Sequence, residues 1–584
     1  MGRLKSLLLD GYVDEPACFG VPPYVSPYVR YCAGVLVSHG YDVKYRTCDQ
    51  WRASKGEVSD EVSASDLTVI IMGLTVPGRY RGGSPLTLRE LVGISEQRRA
   101  GRLIVGGPIR HGYAIRGGSR ARDALPDGVD FIAHGAPEAA LDSYLRTGEW
   151  TDDASMPYSR VDEAAQLGAD VLRLHPSYPN IIAEMELSRG CDRQDSPGIR
   201  CSFCTEGAGC RYEERSPEGV ALETSALYSA GIRAFRLGRC ANILAWGGER
   251  TRLGYRPREA RIRELYSVIR ESAPQLRVLH TDNCNPATVA RFPEESASCI
   301  EAITEYNTEG DGLSLGIECL DPEVRALNRL KVSLEEAVLA VRVVNEAGGS
   351  RRAPASMPSL LPGLNFLSGL AGETRESFGW NRRFLEILLG EGLMVRRINI
   401  RRAMVFPGTE LSSSLAERPP RAHERDYRRW REWVRKDVDP VMLERVAPDG
   451  TVLRDVILEE RSGGVAFGRP LGSYPPLVGV VSPSGSPGDS LDVMVTDRGS
   501  RSLTGVPWPL DVNNCSRAEL TALPGIGRAR AESLISGRPY LSESDIKRAL
   551  EAMDAPGLDS LAGYFIREGR HAPPRSASRS GRSA

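Results

Sequence analysis

Apolar residues fall in short runs along most of the chain, and the spacing between runs changes character several times. In residues 1–170, compact apolar runs at 7–9, 43–45, 68–72, 103–105 and 131–133 have the length and continuity of buried strands. The stretch after the first run is helical in pattern: Ser26 is placed as N-cap, Pro27 opens the helix and Gly40 follows its last turn. Strands alternating with helices predict a Rossmann-like open parallel sheet. The turn Gly106-Gly107-Pro108 would lie on its ligand side.

From 171 to 416 the same alternation becomes more regular. Six runs, at 181–186, 234–237, 276–280, 313–317, 364–367 and 398–405, are separated by helical stretches such as 333–346 and 375–389. Six strand–helix units predict a partial (β/α)6 TIM-like barrel, whose functional groups belong at the C-terminal strand ends. Residues 417–462 are charged and helical in pattern and read as a helical linker. Gly, Pro and Ser then punctuate short β-type runs, 477–481 and 491–496, which predicts a small β-barrel over 463–507. Helical pattern returns in 508–570, and the tail 571–584 has the composition of a disordered segment. The fold class is therefore α/β and multidomain.

Composition narrows the partners only slightly. The formal net charge is -1 over 584 residues, so any polyanion-binding surface must be local. Arginine dominates the basic residues, and lysine is confined to Lys5, Lys44, Lys55, Lys331, Lys436 and Lys547. No apolar run approaches the ~18 residues of a membrane span. The opening MGRLKSLLLDGYVDE lacks a secretory apolar region, so a cytoplasmic location is expected. Twelve cysteines over this length are too sparse for a disulfide scaffold, which leaves closely spaced ones as metal ligands or redox groups.

The sharpest chemistry lies in residues 188–207, SRGCDRQDSPGIRCSFCTEG, where Cys191, Cys201 and Cys204 fall together. Three thiolates suit a four-iron cluster with one iron left open. Zinc would ask for a fourth ligand, and only Cys210, across a short Gly-rich loop, is at hand. With Phe203 before the last cysteine, the segment resembles the C-x-x-x-C-x-aromatic-C motif of the radical S-adenosylmethionine (SAM) superfamily. Within it the chain looks like archaeal members carrying a C-terminal helix-hairpin-helix. It departs from the pattern in its first spacer, nine residues between Cys191 and Cys201 where the family has three. That insertion, DRQDSPGIR, is polar and turn-rich and can loop out.

Further segments carry the resemblance through the barrel. FRLGR (235–239), GIECLDPEVRALNRLK (316–331), GLAGET (369–374) and FPGTEL (406–411) are similar to family segments in the same order, with Cys319 and Ala371 replacing the usual Ser and Pro. The resemblance implies a 4Fe-4S cluster on Cys191, Cys201 and Cys204. It also implies SAM contacts from Phe203, Gly238, Arg239, Glu318, Gly369 and Gly372, and an electron donor such as ferredoxin or flavodoxin. Glu318 and Glu373 could equally be capping or surface carboxylates.

The flanks resemble known companions of that barrel. The N-terminal segment is similar to cobalamin-binding-like domains, yet the D-x-H-x-x-G signature is missing after Asp10, and His39, His111 and His134 are isolated. Cobalamin is thus disfavoured, with substrate binding or partner docking as the other use of the domain. Cys18, Cys32 and Cys48 evoke the second cluster of methylthiolating enzymes, but their spacing is tighter, and Cys32 falls in the predicted helix. Residues 468–506 resemble a TRAM-type module, in which Arg469, Arg498 and Arg501 could reach phosphates. DVNNCSRAELTALPGIGRARAESLISGRPY resembles a helix-hairpin-helix. Ser516 and Glu519 form a capping box. Gly525, Ile526 and Gly527 turn into a helix bearing Arg528 and Arg530, a natural phosphate site.

The function these features imply is radical modification of a nucleic acid, tRNA or rRNA ahead of DNA, by methyl or methylthio transfer or rearrangement. The alternatives are a cobalamin-dependent radical methylase of a small molecule or protein, and a non-catalytic nucleic-acid-binding Fe–S protein.

Overall fold

A computed structural model describes residues 3–13, 24–73, 84–98, 101–113, 118–121, 127–151, 154–195, 200–206, 211–414, 423–553 and 565–566. The 571–584 tail, Cys18 and Cys210 lie outside them. The chain forms two compact units. One is Met1–Val446 with Leu471–Pro475; the other is Ala447–Pro470 with Pro476–Ala584.

The first unit begins with β1 (Lys5–Asp10), β2 (Tyr24–Val25), β3 (Asp42–Thr47), β4 (Leu67–Ile71), β5 (Arg102–Gly106) and β6 (Phe131–Ile132). Five of these make a parallel sheet in the order β3-β1-β4-β5-β6. Strand alternation divides its apolar residues between two faces. Leu8, Val69 and Ile104 point into the main core; Leu7, Leu9, Ile70 and Leu103 point into a smaller one. The helix α1 (Pro27–Ser38) starts as its sequence predicts, with the Tyr28 N–H donating to Ser26 Oγ at 3.2 Å and Pro27 in the first turn. It is buried on nearly every side because it lies between the sheet and α2 (Tyr158–Leu167). A Cβ on Gly34 would fall 1.8 Å from the Ala164 carbonyl oxygen, so the two helices meet backbone to backbone.

The second part of this unit is a partial (β/α)6 barrel: β7 (Ile182–Glu186), β8 (Ala234–Arg239), β9 (Val278–His280), β10 (Asn283–Cys284), β11 (Asp311–Glu318), β12 (Leu360–Ser368) and β13 (Arg397–Arg402). The strands form two parallel sheets, β9-β8-β7-β2 and β10-β11-β12-β13. β9 and β10 are one strand path interrupted at Thr281 and Asp282. Both open edges are covered by the N-terminal segment. β2 leaves its own sheet to pair with β7. On the other side residues 118–121 bond to the chain just beyond β13: Gly118 N–H to Ala403 O at 3.0 Å and Ala121 N–H to Val405 O at 2.9 Å. One hydrophobic core runs from the N-terminal sheet into the barrel.

The second unit holds β14 (Val452–Ser462), β15 (Val465–Pro470), β16 (Leu477–Val481), β17 (Ser490–Arg498) and β18 (Ser502–Trp508), closed into a barrel in the order β14-β15-β16-β18-β17. β14 lies inside the stretch read from sequence as a linker. Its irregular registers against β15 and β17 and its charged Arg454, Glu459, Glu460 and Arg461 break the alternation that would reveal it. Three helices follow: α3 (Arg517–Thr521), α4 (Arg528–Ser536) and α5 (Glu543–Glu551). They share one core with the β-barrel, in which Met494 and Val506 meet Leu520, Ile526 and Leu534.

Candidate functional site

Cys191 follows the first barrel strand, and the residues after it are pinned. Asp192 Oδ2 accepts from the buried Asn242 amide at 3.0 Å. Arg193 donates to Cys201 Sγ and to the Arg329 carbonyl, each at 3.0 Å. The inserted spacer therefore leaves from a fixed base. Cys201 and Cys204 share a turn, with the Cys204 N–H on Cys201 O at 3.2 Å. Ser202 ties that turn to Asn328, its Oγ donating to Oδ1 at 2.7 Å, and accepts at its carbonyl from the Leu411 N–H at 2.9 Å. Burial raises the Cys191 thiol well above its usual range and pushes Cys204 up to about 12.

Lys331 stands behind these thiols. Burial alone would lower its pKa, but Cys201, Glu318 and Cys191 outweigh burial and raise it. A Cβ on Gly316 would lie 2.6 Å from Lys331 Nζ and 2.9 Å from Glu318 Oε1, so the glycine makes room for both side chains. Glu318 ends β11 with φ +62, beside a register shift against β12. Burial pushes its carboxyl up to about 7 against the pull of Lys331 and Arg401. Among the described residues no three His, Cys, Asp or Glu side chains stand in metal-binding geometry as placed. The donor set nonetheless fits an iron–sulfur cluster. The three cysteines lie at the C-terminal end of a parallel barrel, with the half-buried Lys331 near enough to balance thiolate charge.

The other predicted contacts surround this centre with varied roles. Phe203 packs against the apolar cluster that includes Cys319, Leu370 and Ala371, and Asn328 joins the cysteine turn to the GLAGET turn by bonding both Ser202 and Ala371. There Gly369 and Gly372 have φ +91 and +79. Glu373 braces the turn, accepting from Ser368 Oγ at 3.1 Å and the Gly369 N–H at 2.9 Å. Gly238 has a different reason to be glycine, since a Cβ would come 2.1 Å from Glu184 Oε1. Arg239 is engaged by Glu186 at 3.1 Å and by the Tyr28 hydroxyl at 2.5 Å. Sequence reasoning missed Lys331, Asp192 and Asn242. The available signal was that Lys331 is one of very few lysines and closes a family segment.

Elsewhere Cys32 is a core residue, as its place in a helix suggests, and the phosphate contacts of the β-barrel are corrected. Cys32 and Cys48 sit in different cores and do not converge. His39 pairs with Asp142 at 3.0 Å. His111 packs edge-on against Phe406, and burial, helped by Arg110, lowers it to about 4. Arg469, proposed as a phosphate contact, is instead buried and paired with Glu459, because its strand turns it against the neighbouring β14. Arg498 is held by Asp449.

In the second unit the capping box forms as predicted, with the Glu519 N–H on Ser516 Oγ at 3.2 Å. Gly525 has φ +76, Ile526 is buried as the anchor of the turn, and Gly527 is the N-cap of α4, with open space around it. No side chain caps α4, and the first N–H groups of a helix have no partner within it. Arg528 is exposed beside them, and Arg530 folds back to the Gly525 carbonyl at 2.7 Å.

These units define the class: a multidomain α/β protein with a partial parallel barrel, a closed five-stranded β-barrel and a helix-hairpin-helix. The Helix-hairpin-helix motif model matches residues 510–537. An uncharacterized protein of Archaeoglobus fulgidus is 37% identical over 551 residues, covering 93% of this chain and 97% of the relative. An uncharacterized protein of Methanocaldococcus jannaschii is 37% identical over 512 residues, covering 86% and 93%. The chain belongs to the family of these archaeal proteins. Among solved structures, the cobalamin-dependent S-adenosylmethionine radical enzyme OxsB aligns at 11% identity and TM-score 0.43, over 73% of this chain and 56% of that one. The coproporphyrinogen III oxidase HemN of Escherichia coli, a radical SAM enzyme, aligns at 12% identity and TM-score 0.27, over 64% and 79%.

Proposed function

We propose that this chain is a radical SAM enzyme that modifies a nucleic acid, tRNA or rRNA ahead of DNA. The observation that carries this reading is the placing of Cys191, Cys201 and Cys204 at the C-terminal end of the partial barrel, with Arg193 on Cys201 Sγ and with Asn242 and Asn328 fixing the two halves of the segment. The three thiolates would hold a 4Fe-4S cluster. Glu318, Arg239, Phe203 and the turn carrying Gly369 and Gly372 would hold SAM. Bound together, the two cofactors supply the one-electron cleavage that yields a 5′-deoxyadenosyl radical.

The chain's own part is electrostatic and steric. Lys331 and Arg193 offset thiolate charge. The apolar cluster around Phe203 keeps water from one flank. Asn242 and Asn328 fix the two halves of the cysteine segment. An electron donor such as ferredoxin or flavodoxin would serve the cluster. The TRAM-like β-barrel and the uncapped start of α4, with Arg528 and Arg530, would hold RNA by its phosphates.

The test is anaerobic reconstitution. The wild-type chain should bind iron and sulfide and convert SAM to 5′-deoxyadenosine under reducing conditions. Cys201→Ala and Cys204→Ala should each lose most of the iron and all of the cleavage. Retention of both by either variant refutes the cluster. Crosslinking in cells followed by sequencing should recover RNA; recovery of DNA alone refutes the substrate class.

A further inference from the structure

One segment inside the barrel belongs to no barrel element. The link between β15 and β16, Leu471–Pro475, packs as part of the first unit. Gly472 has φ +150, and a Cβ on it would lie 2.8 Å from His280 Cε1. The Ser473 N–H donates to His280 Nδ1 at 2.9 Å. On its other side the ring faces the Glu309 carbonyl at 3.3 Å, just before β11 starts. His280 is therefore neutral, with its proton on Nε2.

Tyr474 reaches further in, with φ +52, a conformation that a bulky side chain adopts only under constraint. Its hydroxyl donates to Asp282 Oδ1 at 2.5 Å, accepts from Arg236 at 3.1 Å and lies 3.0 Å from Ser314 Oγ. The Arg397 guanidinium sits 4.4 Å over the ring. Arg236 is early in β8, Ser314 is mid-β11 and Arg397 opens β13. The ring thus occupies the N-terminal half of the lumen, opposite the end that carries Cys191, Glu318 and Lys331. At that level Arg236, Asp282 and Ser314 all meet the Tyr474 hydroxyl.

We propose that Leu471–Pro475 is a fixed floor of the reaction chamber, and that Tyr474 is the stop that determines how deep a substrate can reach. The reacting group then enters only from the cysteine-bearing end. Above the floor the wall carries Asn365, Asn399 and Arg401, with the Asn399 amide donating to Asn365 Oδ1 at 3.1 Å. Such a wall takes a flat polar group, of the kind a nucleobase edge presents, and not a hydrocarbon chain. The assignment rests on the barrel being the reaction chamber.

The experiment uses the full-length chain without cofactors and phenol as the probe. Tyr474→Gly should leave a ring-sized hole, so phenol at millimolar concentration should raise its melting temperature. Wild type and Tyr474→Phe should not respond. A folded Tyr474→Gly variant indifferent to phenol overturns the floor. Hydrogen exchange on the wild-type chain gives an independent reading. The Ser473 amide should exchange as slowly as those of the barrel strands, and exchange at the rate of an exposed loop overturns the proposal even if Tyr474→Gly does not fold. Neither measurement needs the cluster or SAM. If Tyr474→Gly binds phenol while the wild-type chain cleaves no SAM, the radical reading falls and the floor stands.

Discussion

Asp10 ends the first strand with its carboxyl inside the protein, accepting from the Tyr12 N–H and the Tyr45 hydroxyl, each at 2.9 Å. Burial pushes it up to about 6, against the downward pull of those hydrogen bonds. A carboxyl raised in the folded state favours folding below its unfolded pKa, and that contribution is lost as pH rises through the folded value. Between pH 4 and 6 the wild-type chain should therefore lose ~2 kcal/mol through this group. Asp10→Asn should remove that slope, read as urea midpoints across pH 4 to 7; an unchanged slope would show that Asp10 ionises as it does in water. At this scale legibility was uneven. The cysteines were legible because thiolate spacing is rare and chemically specific. Lys331 was not, since a single lysine carries no spacing, and only its scarcity set it apart. Gly238 was legible as special but for another reason, the crowding of Glu184.

Elements announced themselves where burial was two-sided. The strands β1, β4, β5, β7, β8 and β11 coincide with apolar runs because both faces are covered. Three pieces were invisible. β2 is two residues long and finds its partner far along the chain. β14 is charged on its outer face and interrupted in register. The strap 471–475 has neither period, because its conformation is imposed by the lumen it enters. The crossing of α1 and α2 gives the scale's prediction. With the Ala164 carbonyl oxygen 1.8 Å from where a Cβ on Gly34 would stand, Gly34→Ala has to push two buried helices apart. The loss should be about 3 kcal/mol in urea unfolding followed by circular dichroism. A midpoint within error of wild type would mean the helices are not in backbone contact.

Across the whole molecule, the N-terminal sheet and the barrel are joined by charge as well as by apolar contact. Glu223, fully buried, takes Arg30 from α1 on one oxygen and Arg215 on the other. Arg30 also donates to the Glu184 carbonyl at 2.6 Å, and Arg215 to Asp162 at 2.6 Å. Glu223→Gln would leave Arg30 buried without its counter-charge and Arg215 with Asp162 alone, a cost of about 3 kcal/mol. Calorimetry should show the transition of the first unit lowered and that of the second, with its own core, unmoved; a shift of both together would show that they unfold as one. The pairing of β2 with β7, and of residues 118–121 with the chain beyond β13, has a bearing on the barrel when it stands alone. A bare strand edge invites another chain to pair with it. Each outer strand of this open barrel is answered by a piece of the domain before it. A gene fragment encoding the barrel alone would thus inherit two sticky margins, through which its products should pair with one another.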